Sequence, residues 1–191
     1  MRETKSILLV GVGGQGILLV SRVLTKGLLQ AGYDVKMSEV HGMAQRGGSV
    51  STQVRFGEKV YSPIIGRGGA DALIAFEKME ALRYAQYLKP SGTVLMNDYE
   101  IAPMPVASGA AVYPEGVIEA VQTAFTTYTV NAAEIAISLG NAKCMNVVLL
   151  GAMVKAFSLP DVDWEALVKA ELPLKLHELN LAAFRAGLDA L

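Results

Sequence analysis

Short apolar runs alternate with longer segments of helical period along this chain. Residues 6–10, "SILLV", predict a strand, and the glycine-rich "GVGGQG" follows as a turn. The next segment, "ILLVSRVLTKGLLQAG", has the spacing of an amphipathic helix, which Gly32 is placed to end. The residues predicted to share its apolar face are Leu18, Val23, Leu24, Leu28 and Leu29. Since "DVKMSEV" alternates as a second strand, this region predicts a βαβ unit with a right-handed crossover.

The alternation continues through the middle of the chain. "SVSTQVRFG" reads as a strand, and "GEKVYSP" is predicted to return as its hairpin partner, with Gly57 and Glu58 in the turn. "ADALIAF" and "TVLMND" predict two more strands, separated by the helix "EKMEALRYAQYL" and the turn "KPSG". Pro103 and Pro105 mark "IAPMPVASGA" as a loop. "PEGVIEAVQTAF" and "TYTV" predict a further helix and a short strand.

The last third of the chain is helical in pattern. It begins at Asn131, which forms a capping-box match with Glu134 three residues later. Strands that alternate with helices predict the α/β class, here a three-layer α/β/α, Rossmann-like fold with a mostly parallel sheet and a helical C-terminal segment. Since the 191 residues show no internal repeat and no long linker, we predict a single domain over residues 1–191.

Composition adds a prediction about partners. Hydrophobic residues make up 52% of the chain and charged residues 18%, and soluble domains typically have roughly 25% charged residues. This surplus predicts apolar surface that another chain covers, either a different subunit or a second copy. The net charge of -1 gives no reason to expect a nucleic acid. Without an apolar run of roughly 20 residues or a cleavable leader, we expect a cytoplasmic chain with no membrane partner.

The chain has one cysteine, Cys144, within the apolar helical pattern "NAKCMNVVLLGAMV". A single thiol excludes a disulfide framework, a structural zinc site or an iron–sulfur cluster held within the chain alone. We predict that Cys144 is a small buried hydrophobic residue and that this chain carries no metal site.

The turn "GVGGQG" supplies the first candidate site. Gly11, Gly13 and Gly16 match G-x-G-x-x-G between a strand and a helix, and Gly14 and Gln15 complete the turn. Two interpretations stay open: backbone amides that cradle a phosphate-bearing group, or glycines that only pack a helix close to a strand. Glu39 ends the second strand and would take the acidic ribose-binding role, but it comes 23 positions after Gly16, which is late for NAD.

The second candidate site lies in "EVHGMAQRGGSV". Arg46 beside the amides of Gly47 and Gly48 forms either an anion clamp or an intersubunit salt bridge, and Gln45 and Ser49 would support both. His41 is either a general acid or base or a residue that positions the loop or a partner. We favour the positioning role, because no carboxylate or nucleophile motif stands beside it.

The two motifs together resemble the gamma-type subunit or domain of the 2-oxoacid:ferredoxin oxidoreductases. The "HGMAQRGGSV" version is similar to the small, beta subunit of the indolepyruvate-oxidising branch of that family. The resemblance covers nearly the whole chain, including "ADALIAFE" and the helical C-terminus. It implies a complex that oxidatively decarboxylates a 2-oxoacid with coenzyme A, giving an acyl-CoA, carbon dioxide and reduced ferredoxin.

The resemblance also implies where the cofactors lie. Thiamine diphosphate and 4Fe–4S clusters belong to the larger alpha subunit, which is the expected partner, and ferredoxin is reached through the complex. No cofactor is assigned to this chain itself, and coenzyme A is the one candidate for contact with it. The chain is consistent with this division, because it lacks a cysteine cluster and a thiamine-type "GDG" motif. We therefore predict no catalytic residue in this chain and no activity when it is isolated.

Two other functions stay open from the sequence: a stand-alone Rossmann-type dehydrogenase and a regulatory nucleotide-binding module. A dehydrogenase would need a hydride-transfer pair such as Tyr-x-x-x-Lys, but Ala85 stands four residues before Lys89. We expect both glycine loops to lie together at the carboxyl edge of the sheet, where ligands of parallel α/β folds bind. The expected anion is a phosphate of coenzyme A or a carboxylate of the alpha subunit.

Overall fold

The computed structural model describes residues 3–42 and 47–191. The strands in these residues are β1 (Lys5–Val12), β2 (Asp34–His41), β3 (Ser49–Gly57), β4 (Ala70–Ala75), β5 (Leu88–Asn97) and β6 (Thr126–Val130). The α-helices are α1 (Ile17–Gln30), α2 (Lys78–Tyr84), α3 (Met104–Ala107), α4 (Val117–Ala124), α5 (Ala132–Ser138), α6 (Met145–Ala156), α7 (Trp164–Ala170) and α8 (His177–Asp189). No helix among the described residues is both long enough and apolar enough to cross a membrane.

The strands form one sheet in the order β2-β3-β1-β4-β5-β6. Strands β1, β4, β5 and β6 pair in parallel, whereas β3 is antiparallel to both of its neighbours, β1 and β2. Strand β2 therefore runs in the direction of β1 although β3 separates them. The predicted mostly parallel sheet is confirmed, with β3 as the reversed strand.

The prediction that "GEKVYSP" returns as the hairpin partner of β3 is wrong. The segment after Gly57 forms no strand, because β1 and β2 already occupy both edges of β3. Polar groups of this segment bond to side chains instead: the Val60 amide donates to Asp34 Oδ2 at 2.8 Å, and Arg55 Nη1 donates to the Ser62 carbonyl at 3.0 Å.

Two other local predictions also differ from the structure. The predicted turn "KPSG" lies inside β5, where an irregularity between the pairings of Ala70 and Ala72 absorbs it. The predicted proline loop contains the short helix α3, which Pro103 caps and in whose first turn Pro105 lies. Proline suits that position, because the first amides of a helix have no intrahelical acceptor.

Helices cover both faces of the sheet, as predicted for three layers. Along β1, the side chains of Ile7 and Leu9 enter a core shared with α1 and α5–α8, while Leu8 and Val10 enter a second core shared with α2 and α4. Both sets are almost fully buried, which explains why β1 is a continuous apolar run rather than an alternating one. The helical C-terminal segment thus builds most of one outer layer, and Cys144 is buried in it as predicted.

The apolar face of α1 is narrower than predicted. Val23, Leu24 and Leu28 are buried, but Leu18 is 41% exposed and Leu29 is 53% exposed. The buried stripe includes Gly27, where an added Cβ would overlap the indole ring of Trp164. The absence of a side chain there lets α7 pack directly on α1, and Gly32, at a φ of 81°, follows the end of the helix as predicted.

Helices α6 and α8 cross at a pair of glycines. A Cβ on Gly151 would overlap the carbonyl oxygen of Phe184, and a Cβ on Gly187 would overlap the carbonyl oxygen of Val148. Each helix therefore presents bare backbone to the other at the crossing.

Candidate functional site

The two glycine loops meet at the carboxyl edge of β1, as predicted from the sequence. The Gly13 amide donates to the Gly48 carbonyl at 2.8 Å, and the Gly47 amide donates to the Gly13 carbonyl at 3.2 Å. The antiparallel pairing of β1 and β3 explains this contact, because Val12 at the end of β1 stands opposite Ser49 at the start of β3.

Three glycines of the turn, Gly11, Gly14 and Gly16, divide into open and packed positions. Gly14 has a φ of 107° and open space where a side chain would project, whereas a Cβ on Gly16 would overlap the side-chain amide of Asn146. A Cβ on Gly11 would lie 2.6 Å from Gln15 Oε1 and 2.8 Å from Phe76 Cβ. Gly11 and Gly16 are thus required by packing, and Gly14 leaves the turn accessible from outside.

Gln15, predicted as a cofactor-binding residue, has both ends of its amide bonded to backbone. Its Oε1 accepts from the Val12 amide at 2.7 Å, and its Nε2 donates to the Phe76 carbonyl at 2.8 Å. The side chain therefore holds the turn against the ends of β1 and β4. Among the described residues, no side chain caps the N-terminus of α1, so its first amides face the turn.

Asn97 extends this amide network and was missed from the sequence. It is fully buried at the end of β5; its Nδ2 donates to the same Phe76 carbonyl at 3.1 Å, and its Oδ1 accepts from the Ala132 amide at 3.0 Å. It thereby links β4, β5 and the start of α5. The available signal was an amide side chain directly after the apolar run "TVLM".

A cavity of about 520 Å³ lies on the β2 side of the glycine turn. Glu39 and His41 line it together with residues 12–18 and Val50. The His41 ring is exposed, and its Nδ1 lies 3.2 Å from the carbonyl of the adjacent Gly42. This cavity combines apolar walls with one carboxylate, so a negatively charged group would be repelled by Glu39.

A second cavity, of about 510 Å³, lies on the other side of the same turn. Residues 13–16 line it opposite Tyr99, Ile101, Lys143 and Asn146. Asn146 Nδ2 donates to the Gly16 carbonyl at 3.3 Å, which fixes the start of α6 against the turn. Among the described lining residues, Lys143 brings a positive charge to this side and Glu39 a negative charge to the other, which favours an anion on the Lys143 side.

The Gly47–Gly48 loop leads into a polar contact that the sequence did not indicate. Gly47 has a φ of 75° and open space at its missing side chain. Ser49 Oγ donates to Glu80 Oε2 at 2.5 Å and lies 3.3 Å from the Tyr84 hydroxyl. Gln45 and Arg46, predicted here as loop-positioning and anion-binding residues, lie outside the described residues.

Within residues 3–42 and 47–191, no group of three or more His, Cys, Asp or Glu side chains is arranged to hold a metal ion. Burial raises the pKa of the Cys144 thiol, which disfavours the thiolate form that metals require.

Comparison with known sequences identifies close relatives of matching length. The family model "Pyruvate ferredoxin/flavodoxin oxidoreductase" matches residues 6–190. Indolepyruvate oxidoreductase subunit IorB of Pyrococcus horikoshii is 40% identical over 191 residues, covering 97% of this chain and 95% of that protein. The subunit of the same name from Archaeoglobus fulgidus is 40% identical over 189 residues, covering 95% of this chain and 92% of that protein.

Solved structures share the fold. The gamma subunit of a keto/oxoacid ferredoxin oxidoreductase from Geobacter sulfurreducens superposes with a TM-score of 0.72 at 24% identity over 97% of each chain. A 2-oxoglutarate:ferredoxin oxidoreductase from Magnetococcus marinus, solved with 2-oxoglutarate, coenzyme A and succinyl-CoA bound, superposes with a TM-score of 0.75 at 18% identity. That match covers 100% of this chain and 31% of the other, so the same fold is there part of a longer polypeptide.

Proposed function

The chain belongs to the pyruvate ferredoxin/flavodoxin oxidoreductase family, and from this we propose that it is the small subunit of an oxidoreductase that acts on indolepyruvate. The observation that supports this proposal most directly is the end-to-end similarity to an IorB protein, at 40% identity over 97% of this chain. The proposed reaction converts an aryl pyruvate and coenzyme A to an acyl-CoA and carbon dioxide, and the two electrons released reduce ferredoxin. A stand-alone dehydrogenase or regulatory module is disfavoured, because these relatives of matching length are named as subunits.

In this proposal, the redox cofactors reside on the larger subunit. Thiamine diphosphate and the iron–sulfur clusters supply decarboxylation and electron transfer there. The single cysteine of this chain is buried in the helical layer and is consistent with that division. The small subunit would contribute binding and positioning rather than a reacting group.

The proposed binding site is the joined pair of glycine loops. Gly14 and Gly47 leave open space, and the N-terminus of α1 directs amides at the turn, so backbone donors are accessible to an anion. Lys143 adds positive charge on one side. We assign Gly11, Gly13, Gly14, Gln15, Gly16, Gly47, Gly48 and Ser49 to this site or its scaffold, with Arg46 as its charged partner. The anion is a phosphate of coenzyme A or a carboxylate of the larger subunit.

His41 and Gln45 are assigned to contacts with the loop or the partner. The exposed ring of His41 stands at the rim of the Glu39 cavity, where a partner chain can reach it. Its Nδ1 lies 3.2 Å from the carbonyl of the adjacent Gly42. Among the described residues, no carboxylate or nucleophile forms a hydrogen bond with His41, as a general base would require.

Reconstitution tests the proposed function. The isolated chain should show no indolepyruvate-dependent dye reduction and no iron–sulfur absorption, and activity should appear when the larger subunit is added. Alone it should self-associate in light scattering, since stable subunit interfaces often bury roughly 2,000 Å² or more. The proposal would be refuted if the isolated chain were active, or if the complex oxidised neither indolepyruvate nor any other 2-oxoacid.

Arg46→Ala in the assembled complex tests the site. Losing one charge-assisted contact should weaken binding by roughly 10- to 150-fold. A rise in the Michaelis constant for coenzyme A alone assigns Arg46 to the coenzyme, and a loss of subunit affinity alone assigns it to the interface. Arg67→Ala is the matched control, because Arg67 also precedes two glycines but lies in a turn closed by the Gly69 amide and the Gly66 carbonyl at 3.1 Å.

A further inference from the structure

Helix α2 buries two carboxylates next to the joined glycine loops. Glu77, which caps the helix, is 1% exposed, and Glu80 is 3% exposed. A carboxylate is costly to bury unless hydrogen bonds compensate it. Each of these side chains must therefore have partners, and those partners show which parts of the molecule it holds.

Glu80 joins the helix to the Gly47–Gly48 loop. Its Oε2 accepts from Ser49 Oγ at 2.5 Å, and its Oε1 accepts from Arg83 Nε at 3.0 Å. The Arg83 side chain is 54% exposed, so that ion pair reaches solvent, whereas the Ser49 bond points inward. Ser49 directly follows Gly48, whose carbonyl accepts from Gly13, so the loop is held on one side by the glycine turn and on the other by Glu80.

Glu77 holds the other wall of the same site. Its Oε1 accepts from the Tyr113 hydroxyl and from the Ile101 amide at 3.4 Å, and both partners belong to residues 98–116, which connect β5 to α4. Burial, followed by the bond to Glu77, raises the pKa of Tyr113, so its hydroxyl keeps the proton that it donates. Ile101 also lines the Lys143 cavity beside the glycine turn.

A small cavity of about 200 Å³ separates these two walls. Gly47 and Ser49 line it on one side, Ile101 and Pro103 on the other, and the two carboxylates of α2 form its base. Since neither carboxylate touches the open face of the glycine turn, direct contact with a ligand there is not their role. Their contacts run to the backbone and side chains that shape that face.

We propose that Glu80, acting through Ser49, is the positioning residue that fixes the Gly47–Gly48 loop for binding, and that Glu77 does the same for residues 98–116. The identity of the bound group rests on the proposed function, but the placement of the loop does not. A purely structural role would predict lost stability with unchanged loop order and unchanged binding. The positioning role predicts faster hydrogen exchange confined to the loop and a lower affinity for the ligand.

Hydrogen–deuterium exchange and steady-state kinetics of the assembled complex provide the test. Glu80→Ala and Ser49→Ala should each speed exchange of the Gly13 and Gly47 amides, which bond across the two loops. Each should weaken binding of the proposed anion by about tenfold, the loss expected for a hydrogen bond to a charged group. The loss would be measured as a higher Michaelis constant for coenzyme A at unchanged kcat, or as a lower affinity for the larger subunit. The double variant should be no worse than either single one, because both remove the same bond.

Conservative variants separate positioning from general damage. Ser49→Thr keeps the hydroxyl and Glu80→Gln keeps an acceptor, so both should restore most of the exchange protection. Arg83→Met leaves the Ser49–Glu80 bond intact, so it should change neither the exchange rates of the Gly13 and Gly47 amides nor the binding of the ligand. The inference is overturned if the Gly13 and Gly47 amides exchange at wild-type rates in Glu80→Ala, or if Arg83→Met reproduces its effects. Exchange is measured without substrate, so it decides the positioning role even if the complex proves not to use indolepyruvate.

Discussion

Glycine has opposite uses in two regions of this molecule. At the crossing of α6 and α8, Gly151 and Gly187 are required because the partner backbone occupies the space of a side chain. At the joined loops, Gly14 and Gly47 have positive φ and nothing within reach of a side chain. The first pair serves packing within the chain, and the second leaves backbone groups open to something outside it. A glycine motif in a sequence therefore does not distinguish a binding turn from a tight contact until the neighbours are known.

The two regions also differ in what they bury. The α6–α8 layer packs mostly apolar side chains, with Asn146 and Asn180 as its buried polar residues. The edge of the sheet beside the joined glycine loops, the loop edge, buries Asn97, Glu77 and Glu80 with their hydrogen bonds satisfied. Apolar packing constrains distances between atoms, whereas a buried polar network also constrains their direction and loses stability whenever one partner is left unpaired. The loop edge should therefore be more rigid than its apolar contacts alone would make it. A preorganised binding surface requires such rigidity.

Gly151→Ala should give the largest loss of stability, because the new methyl group would overlap the Phe184 carbonyl oxygen. Forcing two helix backbones apart should cost about 3 kcal/mol of the free energy of unfolding, measured by urea denaturation. Gly66→Ala is the control, since an added Cβ there meets nothing within 4 Å, and it should change stability by less than about 0.5 kcal/mol. Equal urea midpoints for the two variants would remove the distinction between packed and open glycines.

Asn97→Ala should come next. It leaves the Ala132 amide without its buried acceptor and removes one donor from the Phe76 carbonyl. We expect a loss of about 2–3 kcal/mol in the free energy of unfolding. Gln122→Ala, which removes an exposed amide that donates to Thr129 at 3.4 Å, should be nearly neutral. If both variants unfold at the same urea concentration, the amide network does not hold the loop edge together.

Gly14→Ala should separate binding from stability. The positive φ of 107° makes any side chain strained there, at a cost of about 1–2 kcal/mol, although no atom is displaced. The new methyl group would project into the open face of the turn. Coenzyme A affinity or subunit affinity should therefore fall by a larger factor than in Asn97→Ala, as measured by calorimetry on the folded complex. Unchanged affinities would mean that this face of the turn binds neither.

Arg185→Met should have the smallest effect and a defined dependence on pH. Arg185 donates to both oxygens of Glu165 at 2.7 Å, which lowers the pKa of that carboxyl below its ordinary value of 4.5. A carboxyl that is more acidic in the folded chain stabilises it above its unfolded pKa, and that contribution is lost as pH falls through the folded pKa. The urea midpoint of the variant should be lower than that of wild type at about pH 6, and the difference should narrow toward about pH 3. A constant difference would assign the effect to packing.

The sequence predicts the layers of this fold well, because both the apolar runs and the helical period depend on local spacing. It does not identify the neighbours of β3, since alternation shows that a strand has two faces but not which edges it pairs with. Leu18 and Leu29 show a similar limit: both follow the helical period, but the structure buries a neighbouring stripe of α1 that includes Gly27, and the period alone does not show which face is covered.

The candidate site is predicted unevenly for the same reason. The meeting of the two glycine loops follows from strand direction, which the sequence indicates. The internal role of Gln15 and the burial of Glu80 depend on partners distant in the chain, Phe76 and Ser49. Within "EKMEALRYAQYL", both glutamates look like the solvent face of an amphipathic helix, and only the position of Glu77 directly after a buried strand indicates a cap.

Because β3 lies between two paired strands, it limits where residues can be inserted in this part of the chain. Eight residue pairs hold it to β1 and eight to β2, and a slip by one position would move Val54 and Phe56 out of the core. Residues inserted between β2 and β3 must therefore stay in the connection, where each doubling of length costs only about 0.6 kcal/mol. Insertions there would therefore alter the proposed binding loop while the sheet stays unchanged.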